Sequence, residues 1–120
     1  MKILILEDSS KRIAWFSEEF KEYDLVIANN SSMAIDILKT MNFDLAMLDH
    51  DLGQKIFAKS DKNSGFAVAE EIPKNPESVK NVIVHSYNPE GSIRMMKVFE
   101  KCGIKAYQMP YGTFDKSVLN

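Results

Sequence analysis

A chain of 120 residues with 45% hydrophobic and 27% charged residues has the balance of one globular domain and is too short for two independent cores. Its formal charge of −2 gives no global attraction to nucleic acid, so any anion binding has to be local. No run of about 18 apolar residues is present to span a bilayer, and the single cysteine, Cys102, excludes an internal disulfide or a cysteine metal cluster. Met1 to Leu6 runs directly into an apolar pattern without the basic lead of a secretory signal, so a cytoplasmic protein is expected, monomeric or weakly dimeric and without membrane contact.

Lys2 to Glu7 reads as a strand, Ile-Leu-Ile-Leu, apolar on both faces and ending in the acidic pair Glu7 and Asp8. Ser9 or Ser10 then caps a helix whose apolar face is Ile13, Phe16 and Phe20, with Trp15 at its margin. Leu25 to Ala28 forms a second strand, and Asn29 to Ser32 supplies the cap of a second helix carrying Ala34, Ile35, Leu38 and Met41. Leu45 to Leu48 is a third buried strand, terminated by Asp49-His50-Asp51-Leu52-Gly53. The polar stretch Gln54 to Ser64 leads to a helix bearing Phe66, Val68, Ala69 and Ile72, closed by Pro73. A loop of that length more often serves function than mere connection.

Val82 to Val84 is the fourth strand and runs into His85-Ser86-Tyr87-Asn88-Pro89, where Asn88 is a helix cap and Pro89 the favoured first helical residue. The helix that follows carries Ile93, Met96 and Phe99 and stops at Gly103. Ala106 to Met109 is the fifth strand, and Thr113 caps a last helix. Strict alternation of strands and helices predicts a doubly wound α/β fold, a five-stranded parallel sheet with right-handed crossovers and strand order 2-1-3-4-5.

In that order the carboxyl ends of strands 1, 3 and 4 meet at one crevice, to which Glu7, Asp8, Asp49, Asp51 and Ser86 are delivered. Gathered carboxylates repel one another unless a cation neutralises them, which points to a hard, oxygen-liganded ion, Mg²⁺ first and Mn²⁺ second. Set against this, isolated acids after strands are common as solvated loop residues. The only two histidines, His50 and His85, fall at the ends of strands 3 and 4. Imidazoles titrate near neutrality, so one can activate water while the other protonates a departing ribose oxygen as a cyclic phosphodiester opens. Asn88 and the amides near Gly91 make a phosphate cradle at a helix start. Strand alternation, however, turns Asp49 and Ser86 toward the pocket and His50 and His85 away from it. A residue already past its strand escapes that parity, as expected of His50, and His85 reads equally as a buried core histidine. Lys55, Lys59 and Lys62 give one loop a local positive charge that more often stays solvated than steers a ligand.

An acidic pair after strand 1, Asp49 after strand 3 and Ser86 after strand 4 together resemble the receiver domains of response regulators, over nearly the whole chain. The resemblance implies Glu7, Asp8 and Asp49 as metal ligands, Asp49 as phosphoacceptor and Ser86 as switch hydroxyl. The lysine that receivers place before a proline after strand 5 is replaced here by Met109, before Pro110. Leu48-Asp49-His50-Asp51-Leu52-Gly53 and Val84-His85-Ser86-Tyr87-Asn88-Pro89-Glu90-Gly91, with Ser64-Gly65 and Val68-Ala69, are similar to the cyclic-phosphate processing receiver family. That likeness implies a metal-dependent phosphoesterase of cyclic phosphates, RNA ends or related cyclic nucleotides. In it His50, His85, Asp49 and Asp51 would be catalytic, and Ser86, Asn88 and Gly91 would hold phosphate. A phosphoaccepting signalling receiver and a binding module without chemistry are the alternatives.

Overall fold

The computed structural model describes residues 1–53, 59–113 and 117. Five parallel strands, β1 (Lys2–Leu6), β2 (Asp24–Ala28), β3 (Phe43–Leu48), β4 (Val79–Val84) and β5 (Lys105–Gln108), form one sheet. Their order, β2-β1-β3-β4-β5, is the one the alternating pattern predicts. The intervening helices are α1 (Ser10–Glu19), α2 (Ser31–Thr40), α3 (Gly65–Glu71) and α4 (Pro89–Cys102). No helix among the described residues is long and apolar enough to cross a membrane.

The central strands are apolar throughout because each presents alternate residues to two covered faces. Leu4, Leu6, Ala46, Leu48, Val82 and Val84 pack under α2, α3 and α4, against Leu38, Val68, Met95 and Phe99. Ile3, Ile5, Leu45, Met47 and Ile83 pack on the opposite face against Phe16 and Phe20 of α1. Each Leu, Ile, Val, Met or Phe among them, fully buried, contributes roughly 1.5–3 kcal/mol. Helix starts are fixed by local chemistry: Ser9, Asn30, Ser64 and Asn88 each accept a hydrogen bond from a first-turn amide. Gly103 closes α4 at φ 76°, a conformation that asks for glycine.

Several predicted details differ. β3 and β4 begin earlier than their apolar runs, at Phe43 and Val79, because pairing partners Phe43 and Val79 extend the ladder. Pro73 lies inside a short 3-10 turn, Ile72–Lys74, that continues from α3, so the helix tightens before it stops. In α4 the buried face is Gly91, Ser92, Met95 and Phe99, while Ile93 is half-exposed. Ile93 sits two positions, about 200°, around the helix from Met95 and so looks away from the sheet. The last helix expected after Thr113 lies outside the described residues.

Gly65 at the start of α3 shows how tightly the carboxyl edge is built. A Cβ there would stand 1.7 Å from the Asp49 carbonyl oxygen, and the Gly65 amide donates to the His50 carbonyl at 2.8 Å. That neighbour is backbone and cannot swing aside. Gly65→Ala is therefore expected to lower unfolding stability by about 3 kcal/mol or more, read as a shift in the urea midpoint at unchanged slope.

Candidate functional site

β1 and β3 are paired in register, Leu6 beside Leu48, so the next residue of each strand leaves the sheet at the same place. The Glu7 amide donates to Ala28 O (3.1 Å) and the Asp49 amide to Leu6 O (3.2 Å), which extends the ladder by one step and locks both acids at its edge. Asp8 follows Glu7, and one carboxylate oxygen from each of Glu7, Asp8 and Asp49 lies within 4.8 Å of the others. Glu7 and Asp49 are buried, and Asp8 is partly exposed.

Burial pushes the Asp49 carboxyl up to about 8, helped by the Glu7 charge and by a hydrogen bond with Glu7, and opposed by Arg12 and the His50 amide. Glu7 is raised too, chiefly by burial, with Asp49 and Arg12 pulling it back. Burial and mutual repulsion therefore both oppose full ionisation of the pair and favour a shared proton. The Asp8 amide donates to Glu7 Oε2 (3.1 Å), whereas Glu7 Oε1 is buried and accepts no hydrogen bond. Arg12 Nη1 stands 3.5 Å from that oxygen. Three hard oxygen donors within reach of one ion, two of them hindered by burial from ionising together, suit a divalent cation such as Mg²⁺ or Mn²⁺. Displacing the shared proton by a cation would let both acids carry charge.

The histidines occupy different faces of the sheet. Leu48 pairs with Val84 and the His85 amide donates to Leu48 O (2.9 Å), so Asp49 lies beside His85 and His50 beside Ser86. The expected grouping of Asp49 with Ser86 is thus corrected by one residue of register. His85 is fully buried with its ring 4.9 Å from Phe16 on the α1 side. Burial, reinforced by Arg12, holds it down at about 3, so it stays neutral. In this place His85 packs the core and is withdrawn from the acid/base pair that the sequence predicts.

His50 is also buried, but on the α4 side, and its ring is polar on both edges. Nδ1 lies 2.8 Å from Asp51 Oδ1 and Nε2 lies 2.8 Å from Ser60 Oγ. Asn88 Nδ2 donates to the same Asp51 oxygen at 2.9 Å, and Arg94 Nη1 donates to Ser60 Oγ at 3.2 Å. Asp51 thus sits with His50 and not with the three clustered carboxylates. A cavity of about 940 Å³ opens on this network, lined by Lys59, Ser60, Phe66, Asn88 and Arg94 among others, and none of the three clustered carboxylates borders it.

The phosphate cradle expected from Ser86, Asn88 and Gly91 has other work in the fold. Ser86 Oγ accepts the Asn88 amide (3.0 Å), and Asn88 Oδ1 accepts the Gly91 amide (3.0 Å). Gly91 lacks a side chain because the His50 ring fills that space, with Cγ 2.4 Å from where a Cβ would stand. These amides are therefore committed before any anion arrives. Lys59 and Lys62 are exposed, and Lys55 lies outside the described residues. Met109 packs partly buried against the α1-side core.

Sequence reasoning missed Ser60, Arg94 and Arg12. Ser60 and Arg94 carry no local signal, since a loop serine meets a helix arginine only through tertiary packing. Arg12 had one, standing in the first turn of the helix that follows the acidic pair. Its guanidinium lies 5.4 Å from the Tyr87 ring and 5.0 Å from the Tyr111 ring.

The sequence pattern of the cyclic-phosphate processing receiver domain matches residues 2–101. Comparison with curated proteins gives no match. Among solved structures, the response regulator TrrA from Thermotoga maritima, in complex with Mg²⁺ and BeF, is similar at 24% identity and TM-score 0.72, covering 98% of this chain and 93% of that one. The signal receiver domain of an HD domain-containing protein from Pseudomonas fluorescens has 16% identity and TM-score 0.72, covering 98% and 87%. The receiver domain of a LuxO-type repressor protein from Vibrio parahaemolyticus has 20% identity and TM-score 0.69, covering 98% and 82%. At these identities the likeness establishes the fold alone.

The buried carboxyl pair predicts a pH dependence of stability. An acid whose folded pKa exceeds its unfolded one stabilises fully below the unfolded value and loses that contribution as pH rises through the folded value. For Asp49 the interval runs from 3.8 to about 8. His85 slopes the other way, its contribution complete above 6.5 and falling as pH drops toward about 3. From about pH 6.5 to 8 the carboxyl pair acts without it. In chelator, unfolding stability is expected to fall across that window, and Asp49→Asn to flatten the slope and be the more stable protein at pH 8. Urea titrations at stepped pH read both effects, and a wild-type stability that rises from pH 6.5 to 8 would contradict them.

Proposed function

The chain belongs to the cyclic-phosphate processing receiver family, and from that premise we propose that it is a metal-dependent phosphoesterase acting on 2′,3′-cyclic phosphates, RNA ends or the related cyclic nucleotides. The observation that carries this reading is the basin itself: Glu7, Asp8 and Asp49 offer three oxygens within 4.8 Å, and buried Glu7 Oε1 accepts no hydrogen bond. These residues would hold Mg²⁺ or Mn²⁺. A cation bound there supplies charge to balance what builds on the phosphoryl oxygens during hydrolysis. That a receiver of the same fold is in complex with Mg²⁺ and BeF supports the choice of ion.

The chain's own contribution would centre on His50. Asp51 fixes its ring through Nδ1, and Nε2 is the nitrogen left for proton transfer once Ser60 Oγ yields its place to substrate. In hydrolysis a water oxygen bonds to phosphorus, one P–O bond to ribose breaks, and a proton is delivered to the departing ribose oxygen. Asn88 shares the Asp51 oxygen and would keep that carboxylate turned toward His50. An RNA end would then be recognised locally, since the net charge of −2 provides no general attraction.

A second reading is favoured by one observation: Asp49 follows β3 beside Glu7, where a phosphoacceptor carboxylate with its cation would stand. The chain would then signal through a phosphorylated Asp49. The two readings separate in one experiment on wild type, Asp49→Asn and His50→Ala with Mg²⁺ or Mn²⁺. Hydrolysis of adenosine 2′,3′-cyclic monophosphate and of an RNA oligonucleotide with a cyclic phosphate end is expected to require the cation and to fall about 100-fold in His50→Ala. Asp49→Asn is expected to weaken cation binding by about tenfold or more. No turnover by the wild type would reject the esterase, and a mass increase at Asp49 after incubation with acetyl phosphate would then favour the phosphoacceptor.

A further inference from the structure

Three ionised carboxylates outweigh one divalent cation by a unit of negative charge, and a phosphoryl group brings more. A basin that takes both needs a further positive group aimed at the incoming oxygens. Arg12 has the position for it. Its guanidinium stands at the rim, 3.5 Å from Glu7 Oε1, with 29% of the side chain exposed while that of Glu7 is 1% exposed. A charge-assisted hydrogen bond would be about 2.7–2.9 Å, so the arginine approaches Glu7 as an ion pair and leaves its donors uncommitted to it.

The residues around it hold the guanidinium in place. Tyr87 comes from the segment after β4 and Tyr111 from the segment after β5, with ring centroids 5.4 and 5.0 Å from the guanidinium carbon. The Tyr87 hydroxyl donates to the Tyr111 carbonyl, and the Tyr111 amide donates to His85 O at 3.1 Å. Tyr111 in turn packs edge-on against Trp15 at 5.0 Å. Aromatic faces attract a guanidinium through its charge and plane, and they leave its edge N–H groups directed outward to in-plane acceptors. Two segments at the carboxyl end of the sheet thus converge on one arginine whose field already acts on Glu7, Asp49 and His85.

We propose that Arg12, held between Tyr87 and Tyr111 at the rim of the acidic basin, is the binding group for a non-bridging oxygen of a tetrahedral phosphoryl ligand. The proposal rests on the reading that this basin takes a cation and a phosphoryl group, whether as cyclic ester or as acyl phosphate. It gives Arg12 opposite effects on the two guests: its charge repels the cation and attracts the oxyanion.

That opposition makes the test. Calorimetry measures Mg²⁺ binding alone, and then inorganic phosphate binding at saturating Mg²⁺, for wild type, Arg12→Gln and Arg12→Lys, each checked for an unchanged urea midpoint. Arg12→Gln is expected to bind Mg²⁺ as tightly as wild type or tighter and to bind phosphate about tenfold more weakly or worse. Arg12→Lys keeps the charge but not the planar fork, and should fall between the two. Equal weakening of both guests would make Arg12 a support for the basin's shape. Tighter Mg²⁺ with unchanged phosphate would make it a counter-charge for Glu7. Either result overturns the proposal while leaving the function reading in place. Wild type that binds Mg²⁺ but no phosphate would reject the phosphoryl reading itself, and the role of Arg12 with it.

Discussion

The carboxyl edge of this sheet is organised around one unfavourable contact, the burial of Glu7 beside Asp49. The pairing of Leu6 with Leu48 leaves no choice, because the next residue of each parallel strand must emerge at the same point. Hydrophobic packing on both sheet faces fixes that register, and a slip of one residue would turn every core side chain to the wrong side. The fold therefore imposes the repulsion, and two things relieve it, the raised affinity of the pair for a shared proton and the Arg12 charge nearby. A bound cation would replace the first of these and would leave the second free to act on whatever the cation recruited.

The same alternation divides the polar groups into two sets. On the α1 side stand Glu7, Asp49, Arg12 and the neutral, enclosed His85. On the α4 side stand His50, Asp51, Ser60 and Asn88, joined by hydrogen bonds, with Ser60 and Asn88 lining a cavity. Asp49 and His50 are adjacent in sequence yet belong to different sets, and the His50 amide donates to Asp49 Oδ1 at 2.9 Å where the two meet. A phosphoryl ligand reaching both sets would have to lie across the strand ends, over the backbone that links them.

Backbone spacing at this edge is set by glycines more than by polar groups. Gly65 brings α3 against the Asp49–His50 backbone, and Gly91 brings α4 against the His50 imidazole. The His50 ring is packed against the start of α4 and oriented by Asp51 and Ser60, an arrangement that limits its freedom as much as it directs its nitrogens. The helix caps join the same scheme, since Asn88 serves α4 through its oxygen and Asp51 through its nitrogen.

Much of this was legible in order and period alone. Five apolar runs separated by helical patterns set the sheet order, because parallel strands need crossovers and crossovers have one hand. Asn88 and Pro89 announced α4, and the acids after β1 and β3 announced the basin, since local chemistry decides caps and strand ends. What the sequence did not reveal depends on distance along the chain. Sequence left His85 open between a partner for His50 and a core histidine until packing enclosed it against Phe16, and Ile93 looked like core until α4 docked by its Gly91–Met95–Phe99 face. Arg12 acquired its setting only when tyrosines from beyond β4 and β5 closed around it. Residue type and period determine which elements form and in what order they lie, whereas the direction of a side chain past a strand end is settled by what the opposing helices leave room for.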